Sequence, residues 1–171
     1  MDYSLSSDDI RKICPDVRIM TYPKVSGFSS LDQMFGNDNR PIALLYETGP
    51  FYGHWVGLMK QGPKKYEFFD PYGIPPDLEL KFIKQGYRKE SNQDYPYLMD
   101  LILKSDGKIT TSIKQIQRDN PDIATCGRWV GLRCLARKMP LKEFRDMFFG
   151  KGLSPDRLVT ELTNKYWLRS N

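Results

Sequence analysis

A single histidine, His54, and three cysteines, Cys14, Cys126 and Cys134, leave the chain few ligands for a transition metal. No two cysteines stand in a Cys-x-x-Cys spacing, so no zinc site and no metal cofactor are expected. Three cysteines cannot all pair within one chain. The start Met1-Asp2-Tyr3-Ser4 lacks the basic and apolar segments of a secretory leader, so free thiols in a reducing compartment are expected. Long apolar runs are missing too. Ile42 to Tyr46 falls far short of the ~20 residues that cross a bilayer. No repeat, low-complexity tract or long linker divides the sequence, and its 171 residues suit one domain, 1–171. The plain expectation is a soluble, intracellular monomer with no membrane partner.

What is present argues for a packed core: 40% of the residues are hydrophobic and 13% aromatic, too many for a disordered chain. The net charge of +5 is compatible with a nucleic-acid or acidic partner. The basic residues are scattered, however, with only short clusters such as Lys64-Lys65, and a solvated surface accounts for most of them.

Ser6 followed by Asp8 and Asp9 reads as a capped helix ending before Pro15, and a second short helix fits Ser30 to Phe35, stopped by Gly36. Pro41 to Glu47, His54 to Lys60 and Lys65 to Asp70 read as strands, the last two joined by a hairpin loop at Gln61-Gly62-Pro63-Lys64. Helices fit Pro76 to Lys84 and Tyr97 to Lys104, and β-branched residues predict a strand from Lys108 to Ile116. Three further helices follow: Cys126 to Met139, Leu141 to Phe149, and one that begins at Ser154-Pro155-Asp156. Strands in the middle with helices around them give an α+β fold, a central mixed sheet flanked by helices.

Chemistry concentrates in three places. Gly53-His54-Trp55 sets the histidine at the start of a strand, beside a glycine that lets another chain come close. With the hairpin turn centred near Gly62-Pro63, paired positions sum to about 125, which puts His54 across from Asp70 or its neighbour, within reach for a carboxylate to fix one imidazole nitrogen. Asp70 in Asp70-Pro71-Tyr72-Gly73 also suits a turn, and the two roles are compatible. Cys126, in Thr125-Cys126-Gly127, enters a helix from a polar loop, where the helix dipole and a nearby histidine favour a thiolate. Gly127 would leave the sulfur open to a substrate backbone. Cys134 falls among apolar residues and reads as core. An oxyanion would need a donor beside the Cys126 amide, and Gln117 and Gln115 are both placed to supply one.

Gly53-His54-Trp55, then Phe69-Asp70-Pro71-Tyr72-Gly73, a glutamine, and Thr125-Cys126-Gly127 resemble the adenain and SUMO-protease superfamily of cysteine peptidases over roughly residues 40–140. The superfamily keeps the order His, Asp or Glu, Gln, Cys, and so does this chain. The resemblance implies His54 as base, Asp70 as its orienter, Cys126 as nucleophile and Gln117 as oxyanion donor. It implies that Trp55, with Gly53 and Gly127, lines a narrow substrate channel that favours cleavage after glycine. Gln117 stands nine residues before Cys126, farther than is usual for the superfamily, with Arg118-Asp119-Asn120-Pro121 lengthening the loop. The compact size resembles the viral branch, including maturation proteases of virophages and large DNA viruses. That implies a capsid or core precursor as substrate, in the cytoplasm, virus factory or virion of an infected cell, with DNA or a peptide as a conceivable activator. An isopeptidase of ubiquitin-like modifiers, an acetyltransferase effector and a non-enzymatic nucleic-acid or capsid-binding module are the competing expectations.

Overall fold

The computed structural model describes residues 5–112, 114–118 and 124–168. Its centre is a five-stranded mixed sheet in the order β1-β2-β3-β4-β5, with β1 Arg18–Thr21, β2 Ile42–Gly49, β3 Tyr52–Gly62, β4 Lys65–Phe69 and β5 Lys108–Thr111. The two antiparallel pairs, β2 with β3 and β3 with β4, form a meander, and β1 and β5 flank it in parallel. The helices are α1 Ser7–Ile13, α2 Leu31–Phe35, α3 Gln85–Glu90, α4 Tyr97–Lys104, α5 Cys126–Leu135, α6 Leu141–Asp146 and α7 Pro155–Leu168; short 3-10 turns lie at Tyr22–Gly27 and Leu78–Phe82. None of the described helices is long and apolar enough to cross a membrane.

The apolar run of β2 is continuous because both faces of the sheet are covered. Ala43 and Leu45 point to one side with Trp55, Met59 and Phe69, where Ile10 and Ile13 of α1, Trp129 and Val130 of α5, Phe144 of α6 and Val159 of α7 close over them. Ile42, Leu44 and Tyr46 point to the other with Val56, Leu58 and Phe68, against Tyr22, Met34, Phe35, Leu98 and Leu101. Alternation along each strand thus builds two cores with one sheet between them. α1 crosses α5 at Gly131, where a Cβ would stand 3.1 Å from Ile13. The helix that carries Cys126 is therefore clamped between α1 and the sheet.

At its far end α5 is fastened by a buried ion pair. Arg133 Nε and Nη2 donate to the two carboxylate oxygens of Glu67 on β4 at 2.9 and 2.8 Å, and Nη1 donates to the carbonyls of Ala136 and Met139. Both side chains are buried. Removing one partner strands the other charge, so Glu67→Ala is expected to lower the unfolding free energy by about 3–5 kcal/mol, read from urea titration. A loss below about 1 kcal/mol would show that water replaces the carboxylate at no cost.

Several elements differ from the sequence reading. The helix expected over Pro76–Lys84 is the 3-10 turn Leu78–Phe82, because Asp77 takes φ +67° and breaks the helical path after Pro75-Pro76. The expected Lys108–Ile116 strand stops at Thr111, where Ser112 turns to bond the backbone of Asp70; Ile113 lies outside the described residues. The helix from Cys126 ends at Leu135 rather than Met139, its last turn drawn off to Arg133. The helix at Leu141 ends at Asp146. β1, α3 and the Tyr22–Gly27 turn have no counterpart in the sequence reading.

Candidate active site

β3 and β4 pair in a register whose partners include Gly57 with Phe69 and Leu58 with Phe68. Continued past the end of β4, that register sets Val56, not His54, opposite Asp70. His54 lies two residues farther along β3, on the same side of the strand, and meets Asp70 diagonally. The contact is still made: the imidazole Nε2–H donates to Asp70 Oδ1 at 2.8 Å, with both side chains buried. The offset places Tyr72 over the ring instead, stacked at 4.7 Å between centroids and 17° between planes.

Asp70 is held by its own turn. Its Oδ1 also accepts from the Tyr72 N–H at 2.8 Å, and its carbonyl accepts from the Gly73 N–H at 2.8 Å. Its N–H donates to Ser112 Oγ at 2.9 Å, and that hydroxyl donates back to the Asp70 carbonyl at 3.0 Å. The turn chemistry of Asp70-Pro71-Tyr72-Gly73 and the orientation of His54 are thus performed by one carboxylate. Gly73 takes φ +72° and lies so close to the Lys114–Gln115 backbone that a Cβ would stand 2.6 Å from it. Only glycine permits that approach, and it brings the segment bearing Gln117 against the turn.

Cys126, at the first position of α5, acts on the same imidazole and helps to raise its pKa. Asp70 occupies Nε2, so Nδ1 is the nitrogen left for the thiol. Burial alone would lower the imidazole pKa; the hydrogen bonds to Asp70 and Cys126, with the charges behind them, outweigh it and hold it well above its ordinary value. A group so raised stabilises the fold in full below its unfolded pKa of about 6.5, and that contribution is lost as pH rises through the folded value. The stability advantage of the native chain over His54→Gln is therefore expected to be largest near pH 6 and to shrink as the pH rises into the alkaline range, measured by urea titration at each pH. An advantage that grows with pH would mean the imidazole is held neutral.

The other two cysteines are differently placed. Cys14 caps the end of α1, and burial, the hydrogen bond to Asp16 and the charge of that carboxylate push its thiol up to about 12. Burial holds Cys134 well above the ordinary thiol range as well. Both are inert as nucleophiles at neutral pH.

Gln117 is buried; its N–H donates to the Pro71 carbonyl at 2.9 Å, and its Nε2 lies 3.4 Å from the Tyr72 hydroxyl. Gln115 is exposed, and its amide donates to the Gln117 carbonyl at 2.8 Å. Of the two glutamines, Gln117 is the one drawn inward. Asp119 to Pro121 of the lengthened loop lie outside the described residues.

The glycines and tryptophan around the site face inward. A Cβ on Gly53 would stand 1.9 Å from the Tyr46 carbonyl, so this glycine serves the close approach of β2 to the start of β3. The Trp55 indole belongs to the core beneath α5 and donates its N–H to the Leu5 carbonyl at 3.1 Å. Gly127 faces the same Leu5 side chain, 2.9 Å from where its Cβ would be. Open space lies on the other flank, where a cavity of ≈ 400 Å³ is lined by Tyr72, Ile74, Glu79, Phe82 and Gln115.

Among the described residues, His54, Asp70 and Glu79 are the group whose ligand atoms converge, all within 4.8 Å of one another. Nε2 of His54 is committed to Asp70, so a cation bound by all three groups would have to compete with that bond. The arrangement suits proton transfer between a thiol and a fixed imidazole better than metal ligation.

Sequence reasoning brought His54, Asp70, Cys126 and Gln117 into view. It missed the Tyr72 stack, the Ser112 tether and the approach of Glu79, all of which join segments far apart in the chain.

No family model matches the chain. It is 38% identical over 165 residues to the uncharacterized protein V9 of the Sputnik virophage, an alignment that spans 94% of each. Among solved structures, the central domain of the uncharacterized Lpg1148 protein of Legionella pneumophila shares 16% identity, is matched over 96% of both chains and gives a TM-score of 0.49, too low to bear on fold or function.

Proposed function

The chain belongs to the family of the Sputnik virophage protein V9, and on that premise we propose that it is a cysteine endopeptidase with the adenain-like fold, acting on viral precursor proteins in an infected cell. The observation that carries the reading is His54, hydrogen-bonded through Nε2 to Asp70 and interacting with Cys126 at the N-terminus of α5. A nucleophile, a base and the group that orients the base are thereby brought together.

In the proposed reaction the Cys126 thiolate, paired with protonated His54, attacks a peptide carbonyl, forming the S–C bond as the carbonyl π electrons move to oxygen. The oxyanion is met by the Cys126 N–H and by Gln117 Nε2. Collapse breaks the C–N bond as His54 gives its proton to the leaving amine. Water, deprotonated by the same imidazole, then attacks the thioester carbonyl and frees the carboxylate and the thiol. Asp70 accepts from Nε2–H throughout and never needs to be protonated.

The substrate is a polypeptide, cleaved after glycine in a capsid or core precursor of the virophage particle. The test is to incubate the full chain with a peptide library made by digesting the proteins of virophage-infected cells, and to map new N-termini by mass spectrometry. Cleavage after glycine in virion proteins is the expected result. No new termini beside rapid release of a fluorophore from a ubiquitin-like conjugate would replace the endopeptidase by an isopeptidase. Neither product would remove the hydrolase reading.

A further inference from the structure

We propose that Asp156 is a positioning residue for the oxyanion site, holding Gln117 and the Cys126 amide in place from the start of α7; the inference rests on the cysteine peptidase reading above. The Asp156 carboxylate is buried, and both its oxygens are spent on the loop that leads to the nucleophile. Oδ1 accepts from Thr125 Oγ1 at 2.5 Å and from Trp129 Nε1 at 3.0 Å. Oδ2 accepts from the Arg118 N–H at 2.9 Å. Arg118 directly follows Gln117, and Thr125 directly precedes Cys126. One carboxylate therefore ties down the two residues beside the proposed oxyanion donors.

The plain structural role for an aspartate in the first turn of a helix is to cap that helix. Ser154 already does so for α7, accepting from the Arg157 N–H on its hydroxyl and from the Leu158 N–H on its carbonyl. Asp156 points away from its own helix.

Its effect on α5 is the reverse of capping. Thr125 stands at the N-cap position of α5, where a threonine hydroxyl ordinarily accepts from the first-turn amides. Here it has φ −102° and ψ 0°, makes no side-chain bond to those amides, and gives its hydroxyl proton to Asp156. The carboxylate thus keeps the N-terminus of α5 uncapped at the residue where an oxyanion would form. A buried carboxylate is costly unless its hydrogen bonds are good. Three donors converge on this one, two of them from the residues that flank the donors.

Asp156→Asn separates this role from general support. Trp129 Nε1–H and Arg118 N–H can only donate, so an amide, with one oxygen, must turn its NH2 toward one of them. Keeping the oxygen on Thr125 and Trp129 retains two bonds and gives up Arg118, on the Gln117 side.

Two probes read the consequence at the same sulfur. With iodoacetamide, Cys126 Sγ displaces iodide from a saturated carbon, and the S–C bond forms with no oxyanion. With p-nitrophenyl acetate, Sγ adds to the ester carbonyl, an oxyanion forms, and collapse expels p-nitrophenolate, leaving an acetyl thioester. In Asp156→Asn the alkylation rate of Cys126 is expected to stay within about twofold of the native rate, while the p-nitrophenolate burst slows by about 10–100-fold.

Unchanged rates with both probes would overturn the proposal, as would equal losses with both. If the variant does not fold, Thr125→Val removes one hydroxyl in an isosteric side chain and carries the same test, with Thr125→Ser expected to keep the native burst. Failure of the peptidase reading is distinguishable: in that case the native chain itself shows no selective alkylation of Cys126.

Discussion

A Cys126→Ala chain is expected to fold as the native protein does and to cleave nothing. The sulfur is the nucleophile of the proposed site, and losing the nucleophile of such a unit costs about 10⁶ in kcat, to the level of the uncatalysed background. The structural cost is small. Cys126 is 5% exposed at the first position of α5, alanine is the best helix former, and removing one sulfur costs about 1 kcal/mol. Circular dichroism and urea titration should overlay on the native curves within that margin. The peptide-library digest should show no new termini above a blank. Cleavage at the native rate would sink the assignment of Cys126, and with Cys14 and Cys134 both held as neutral thiols it would point away from cysteine chemistry altogether.

The central meander was legible because its chemistry is local. Ile42 to Tyr46 is a run of apolar residues that only a strand covered on both faces uses, and Gly62 with Pro63 marks the hairpin that joins β3 to β4. The capping box of Ser6 and Asp9 and the proline at the start of α7 likewise announce helix starts from adjacent residues. β1 could not be read this way. Arg18-Ile19-Met20-Thr21 has no pattern of its own and is a strand because β2 offers it a parallel edge. β5 was legible from its β-branched residues, but its end was not, since it is set where Ser112 leaves the ladder for Asp70.

Within the site the division is similar. His54 and Cys126 stand out by residue type and by their place at the start of an element. Asp70 was reached through hairpin register, but the shift from a sum near 125 to the observed pairing moves it from opposite His54 to a diagonal position. The diagonal matters chemically, since it frees the place over the imidazole for Tyr72. Asp156 carried no signal at all. A proline-aspartate pair at a helix start has a sufficient local explanation, and nothing near it in the chain hints that its carboxylate reaches Thr125 across 31 positions. Supporting groups of this kind are set by tertiary contact, so a sequence discloses the reacting atoms sooner than what holds them.

Treatment of the native protein with iodoacetamide at about pH 6 is expected to modify Cys126 alone, and His54→Ala is expected to slow that modification by about 100-fold or more. The selectivity follows from the three environments. Cys14 and Cys134 are fully buried and their thiols are pushed above the ordinary range, Cys14 to about 12, so neither presents a thiolate at this pH. Cys126 interacts with an imidazole whose pKa is raised, so at pH 6 the ring holds a proton and the sulfur lies beside a cation and the N-terminus of α5. Taking away His54 removes the cation and leaves only the helix terminus to stabilise the charge. Asp70→Asn should produce a smaller loss, because the ring stays in place under Tyr72 while the acceptor for Nε2–H is weakened. Adducts would be located by peptide mass spectrometry, and their rates followed at two or more pH values. Equal, slow modification of all three cysteines in the native chain would mean that Cys126 and His54 do not form an ion pair. Fast modification of Cys126 that persists in His54→Ala would instead assign the reactivity to the helix terminus, leaving the imidazole with proton delivery to the leaving group as its only role.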